Sequence, residues 1–190
     1  MMAANPSIRT GSPVIKILPG GYHADPRDVT LTTTLGSCVS CCLHDPGLGI
    51  GGMNHFMLPE GGAESNGSAR YGIHAMELLI NALLQLGARR DKLTAKIFGG
   101  GAVLRGMTAM DVGKRNVRFV EDFLRLEKIP VLARDLLDVH PRKVAFHTHS
   151  GKAFVKPLPI TAREPTLAEE TRYRTQLVSA PISSGTVELF

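Results

Sequence analysis

The sequence predicts a mixed α/β protein, and three observations carry the prediction. Short β-branched or apolar runs bounded by glycine and proline recur before residue 60 and again after residue 93. One long stretch between them, residues 69–86, sets Ile73, Met76, Ile80, Leu83 and Leu84 at helical spacing, with Leu79 close beside them. The resulting order is strands, helix, strand, helix, strands, which suits sheets of mixed rather than wholly parallel pairing.

Taken in order, residues 1–13 are small, polar and proline-bearing and read as a flexible lead-in. Val14–Leu18 is an expected edge strand, stopped by Pro19-Gly20-Gly21. Val29–Leu35 is β-branched and extended; Gly36-Ser37 breaks it and Val39–His44 resumes it. After the turn at Asp45-Pro46-Gly47, Gly51–Leu58 forms a further strand, pairs with its predecessor and ends at Pro59. Met53 and His55 then share one face, Asn54 and Phe56 the other. Gly51 and Gly52 permit close backbone approach. Residues 60–68 are a glycine- and serine-rich loop ahead of the long helix, which Gly87 caps.

Leu93–Phe98 is a strand candidate that runs into Gly99-Gly100-Gly101. The dinucleotide and Walker phosphate-binding patterns both fail there, so the glycines are read as admitting another segment or substrate. Asp111 is the expected N-cap of a helix over 112–126, whose turns are marked by Val112, Arg115-Asn116, Phe119 and Phe123. Residues 129–133 return to β structure, 136–141 form a turn or short helix, and 143–149 and 153–156 make a hairpin about Ser150-Gly151-Lys152. A single domain over 14–160 is expected, followed by a proline-punctuated appendage, 161–190, that is either a peripheral helix or disordered.

Composition narrows the function classes. The 190 residues are 43% apolar, enough to bury one core. The net charge of +5 is spread among acidic residues without a basic arm or zinc-finger spacing, which disfavours nucleic acid as a partner. Cys38, Cys41 and Cys42 fall within five residues, so no disulfide framework is expected, and a reducing cytoplasm fits. No apolar run has the length of a membrane span or signal peptide, so no membrane insertion is expected.

The stretch with most chemistry is Thr32-Thr33-Thr34-Leu35-Gly36-Ser37-Cys38. A cysteine on a tight turn and a histidine one strand away are a thiol nucleophile and its base: Cys38 and His55. Peptide N–H groups at the turn can receive an oxyanion. A third group should orient the imidazole, and Thr32, Thr33, Thr34, Ser37 and Asn54 are all near in sequence. Cys41 and Cys42, inside a strand, fit small buried hydrophobes. Ser37, Asn54, Arg115 and Asn116 are the candidate substrate-binding residues. His147 and His149 face one way on a strand and would need a converging third ligand, His140 or His55, to hold a metal; no HExxH pattern supports this, and neither metal nor organic cofactor is expected.

Several ordered blocks resemble the chemoreceptor glutamine deamidase family, the CheD proteins. They are Thr34–Val39, Gly51–Pro59, Arg70-Tyr71-Gly72, Lys96–Gly101, Val112–Asn116 and Arg142–Gly151, spanning about residues 14–157. The resemblance implies a cytoplasmic cysteine hydrolase that converts receptor glutamines to glutamates. It implies an α/β/β/α sandwich with mixed sheets, similar to toxin-type cysteine deamidases. The family's catalytic cysteine and histidine match Cys38 and His55. Its threonine, six residues before the cysteine, falls on Thr32, although the first glycine of the family's pattern is Thr34 here. The implied partners are the cytoplasmic helices of methyl-accepting chemoreceptors and a CheC-type phosphatase. A regulatory binding protein without turnover is the alternative from a different class.

Overall fold

The computed structural model describes residues 12–58, 66–102, 107–159, 161 and 163–179. Its strands are β1 (Val14–Lys16), β2 (Tyr22–Asp25), β3 (Thr30–Leu35), β4 (Val39–Asp45), β5 (Ile50–Asn54), β6 (Thr94–Gly99), β7 (Val131–Leu136), β8 (Arg142–His147) and β9 (Ala153–Pro157). The helices are α1 (Asn66–Gln85), α2 (Met107–Leu126) and α3 (Arg163–Ser179).

The strands form two mixed sheets. One has the order β1-β3-β8-β9 and the other β2-β5-β4-β6-β7. In the first, β1 runs parallel to β3 and the other pairs are antiparallel. In the second, only β6 and β7 run parallel. The mixed α/β expectation therefore holds, and β4 and β5 pair as expected, with Cys42 opposite Met53.

Two apolar layers divide the molecule. Leu31, Leu35, Val144 and Phe146 from the four-stranded sheet meet Cys42, Met53 and Phe98 from the five-stranded one. On the far face of the five-stranded sheet, Val39, Cys41, Leu43 and Ile97 pack against Met76, Leu79, Ile80 and Leu83 of α1 and Val117, Val120 and Leu124 of α2. The period of two in β4 explains this split: Cys41 faces the helices and Cys42 the other sheet. Ile73 is exposed, whereas Leu79, set beside the expected stripe, is fully buried.

Local differences have local causes. Helix α2 starts at Met107, so Asp111 lies inside it and is not its N-cap. The polar four-residue strand β2 pairs on an edge, where alternation is too short to read. The residue range 180–190 and the range 1–11 lie outside the described residues, as does most of the 60–68 loop. Part of the expected appendage is helix α3; its Tyr173 and Leu177 pack against the layer between the sheets.

Candidate active site

The turn Gly36–Cys38 carries the chain from the four-stranded sheet (β3) to the five-stranded sheet (β4). Each of its three carbonyls is held from behind. Gly101 N–H donates to Gly36 O at 2.7 Å, Asn116 Nδ2 to Ser37 O at 2.9 Å, and Gly100 N–H to Cys38 O at 2.8 Å. With the carbonyls fixed on one side, the three N–H groups converge on the other. Such a nest of amides binds anions.

The three glycines are what let this packing occur. A Cβ at Gly99, whose φ is +111°, would stand 2.2 Å from Cys38 O. A Cβ on Gly113 of α2 would stand 2.3 Å from Gly100 O. The expected close approach at 99–101 is thus to the nucleophile turn itself and to α2.

Cys38, the candidate nucleophile, is fully buried at this turn. His55, the candidate base, follows β5 on the Met53 face and looks across toward the other sheet. Thr33 Oγ1 lies 2.8 Å from His55 Nδ1 and donates to Ile17 O at 2.8 Å. His55 Nε2 is buried and has no hydrogen-bond partner among the described residues. Cys38 Sγ, an imidazole nitrogen of His55 and a carboxylate oxygen of Glu170 all lie within 4.8 Å of one another.

Glu170, from α3, fills the nest. Its Oε1 accepts from Gly36 N–H at 2.8 Å and Cys38 N–H at 3.1 Å; its Oε2 accepts from Ser37 N–H at 2.9 Å and Ser37 Oγ at 2.7 Å. These four donors engage both carboxylate oxygens. Beside the Cys38–His55–Glu170 cluster, the hydroxyls of Tyr71 and Tyr173 meet each other.

The electrostatics follow from burial. Desolvation pushes the Cys38 thiol well up, and the Glu170 carboxylate, by its charge and a hydrogen bond, pushes it further the same way. Burial lowers His55 below its ordinary value, against the opposing pull of Glu170 and Glu169. With Glu170 in place the pair rests as neutral thiol and neutral imidazole. A cavity of about 210 Å³, lined by Gly20, Gly21, Tyr22, His55, Tyr71 and His74 among others, adjoins the imidazole; it is roomy enough for water.

Thr32 requires a correction. On β3 it points away from the sandwich interior, and the hydroxyl at His55 is that of Thr33. The alternation Leu31, Thr33, Leu35 carried that signal, since a strand's buried face takes every second residue. Asn54 lines the cavity beside His55, and its side chain is tied to the framework. Its Oδ1 accepts from Cys41 N–H at 2.9 Å and its amide donates to Ala75 O at 3.2 Å, so it ties β4 and β5 to α1. Asn116 is fully buried and clamps two backbones, accepting from Leu58 N–H at 2.9 Å while holding Ser37 O. These contacts give both asparagines a framework role. Ser37 is at the nest, and Arg115 is half-buried on α2, on a different face from Asn116. His147 sits beside Thr30 Oγ1 and edge-on to Phe154, apart from His55. Glu170 escaped the sequence reading because the buried face of α3, Thr166, Glu170 and Tyr173, is too polar for an apolar stripe.

Comparison with known proteins bears on this geometry. The family model described as CheD chemotactic sensory transduction matches residues 57–157. A protein of Dechloromonas aromatica named probable chemoreceptor glutamine deamidase CheD 1 is 52% identical over 182 residues, 95% of this chain and 90% of its own length. A Herminiimonas arsenicoxydans protein named probable chemoreceptor glutamine deamidase CheD is 51% identical over 179 residues, 92% of this chain and 88% of its own. Among solved structures, a Neisseria meningitidis protein of the family-model DUF152 is similar at a TM-score of 0.41 and 12% identity, over 66% of this chain and 64% of that one. A likeness that distant carries no argument about the site.

Proposed function

The chain belongs to the CheD family of chemotactic sensory transduction, and from that membership we infer that it is a hydrolase converting glutamine side chains of chemoreceptors to glutamate. One observation carries the assignment of this chemistry to Cys38 and His55: sulfur and imidazole nitrogen lie within 4.8 Å of each other beside three converging peptide N–H groups.

The steps follow from those positions. His55 Nε2 takes the Cys38 proton, and the thiolate attacks the carboxamide carbon. The oxyanion rests on the N–H groups of Gly36, Ser37 and Cys38, which already converge on a turn whose own carbonyls are tied from behind. The imidazolium gives its proton to the departing ammonia, leaving a thioester. Water, deprotonated by His55, attacks the thioester; glutamate leaves and the thiol is restored. Thr33 holds the imidazole throughout. No step calls on a metal or organic cofactor. Each turnover consumes one water and adds one negative charge to the receptor.

The remaining parts of the reading rest on the same ground. The two facing sheets with α1 and α2 outside one of them support the likeness to the α/β/β/α sandwich of toxin-type deamidases through three of the four layers; the described contacts of α3 are at the nucleophile turn, β1, the β1–β2 loop and α1. No described helix is long and apolar enough to cross a membrane; work in the cytoplasm, on the receptors' cytoplasmic helices, belongs to the reading drawn from family membership. A second reading, regulatory binding of receptor or CheC-type phosphatase without turnover, draws on the occupied nest. The experiment is intact-mass analysis of receptor helices incubated with the protein. A gain of about 1 Da per site, abolished by Cys38→Ala, is the expected result for amide hydrolysis; binding without mass change would leave the second reading.

A further inference from the structure

We propose that α3 is a tethered product mimic: it lies in the groove that receives the substrate helix, and the Glu170 carboxylate stands where the reacting carboxamide stands. The proposal rests on the hydrolase reading above and adds to it where and how the helical substrate docks.

The chemistry of the occupant is the first argument. Glutamate is what amide hydrolysis leaves behind, and Glu170 presents that group from a helix. Its oxygens take the N–H groups of Gly36, Ser37 and Cys38, the donors assigned to the oxyanion. A carboxylate there, with Cys38 Sγ within 4.8 Å, is the arrangement of a bound product.

The second argument is that the surface under α3 is shaped for a helix. Gly20, held at a φ of +81°, leaves room for the Tyr173 ring; a Cβ there would stand 2.6 Å from Tyr173 Cε2. Thr166, Glu170 and Tyr173 recur at helical spacing and are all buried, while Arg172 and Thr175 on the opposite side are exposed. The Tyr173 hydroxyl meets that of Tyr71, and Glu169 reaches Lys16 at 3.3 Å. One helical face thus meets β1, the β1–β2 loop, the nucleophile turn and α1 together. A receptor helix with a glutamine at the place of Glu170 fits the same face.

The third argument is electrostatic and supports the first two. Glu170 raises the thiol in addition to its burial. With α3 withdrawn, the anion leaves and the nest is free for a developing oxyanion. The docked helix therefore blocks entry and holds the nucleophile as a thiol.

The experiment uses the full-length chain with Glu170→Ala and, separately, Tyr173→Ala, which loosens α3 without touching the nest. The readouts are the KM and kcat for a receptor-helix fragment and the rate of Cys38 alkylation by iodoacetamide. A competing tethered helix multiplies substrate affinity by the fraction of open molecules, so both variants should lower KM, by about tenfold if one molecule in ten is open, and speed alkylation. A raised KM or lowered kcat in both variants would mean that α3 merely braces the turn, and would overturn the proposal. A further measurement is the intact mass of Glu170→Gln. Its carboxamide sits beside Cys38 in the same molecule, so hydrolysis by water to glutamate and ammonia should add about 1 Da, and adding Cys38→Ala should prevent it. If the wild type hydrolyses receptor glutamine while the carboxamide of the Glu170→Gln variant stays intact and neither alanine variant changes KM, the product-mimic proposal fails alone. If neither wild type nor variants hydrolyse receptor although Cys38 alkylates faster in the variants, the hydrolase reading fails instead.

Discussion

The Thr33 hydroxyl sits 2.8 Å from both Ile17 O and His55 Nδ1. A hydroxyl has one proton, and the carbonyl can only accept, so the proton goes to Ile17 O. His55 Nδ1 must then be the donor to Thr33, which leaves Nε2 unprotonated and able to take the thiol proton. One backbone carbonyl on β1's trailing end thereby sets the tautomer of the candidate base.

Thr33→Val keeps the shape of the side chain but loses the acceptor for Nδ1–H. The expected result is a fall in kcat/KM of about tenfold to a hundredfold, part of what a positioned general base contributes, with folding retained. Thr33→Ser should restore most of the rate, and Thr32→Val should change little. Initial rates of ammonia release from a receptor-helix substrate check all three.

Asn116 is the rear support of the nucleophile turn. Asn116→Ala leaves the buried Ser37 O and Leu58 N–H without partners. Losing buried partners costs about 1–3 kcal/mol for each group stranded. Urea denaturation should show a loss of about 2 kcal/mol or more, and kcat should fall with KM little changed, because the oxyanion donors lose their alignment.

Glycine substitutions separate conformational cost from collision. At Gly87, φ is +97° and nothing lies within 4 Å of an added Cβ, so Gly87→Ala should cost about 1 kcal/mol from backbone conformation alone. Gly99→Ala adds a 2.2 Å collision with Cys38 O and should destabilise by roughly 3 kcal/mol, in the range of strained backbone positions. Thermal melts of both variants, with rates at a permissive temperature, test the contrast; only Gly99→Ala should lose turnover.

The buried His55 gives stability a pH dependence with a definite sign. Its folded pKa is lowered from 6.5 to about 4, chiefly by burial. Between those values the unfolded chain binds the proton and the folded one does not, so stability rises with pH across that window. The contribution is complete above 6.5 and is lost as pH falls toward 4, at roughly 1 kcal/mol per pH unit. Urea midpoints for wild type and His55→Gln across pH 4–7 should show a steeper acid loss in the wild type; parallel curves would contradict the assignment.

Much of this arrangement was legible in the chain. Gly36-Ser37 breaking a β-branched run marked the turn, and the alternation around His55 placed it opposite Asn54. Hydrophobic spacing found α1, and Ser150-Gly151-Lys152 found the β8–β9 connection. What stayed hidden depends on contacts between distant segments. Whether Thr32 or Thr33 faces His55 turns on which side of β3 meets the other sheet, and there the alternation of Leu31 and Leu35 pointed to Thr33, against the position the family resemblance implied. The asparagines read as ligands because a free carboxamide suits substrate; in the fold their groups are consumed by Cys41, Ala75, Leu58 and Ser37. Glu170 had no local mark, since an acidic residue on a polar helix ordinarily faces water.

The nucleophile turn begins in one sheet and ends in the other, Thr33 belongs to the first, and His55 follows a strand of the second. The reacting geometry is consequently a measure of how the two slabs are stacked. Trimming Met53 or Phe146, side chains of the layer between the sheets, would let the slabs slide and dull the enzyme while the fold itself persisted, so heat should extinguish turnover some degrees before the cooperative melt.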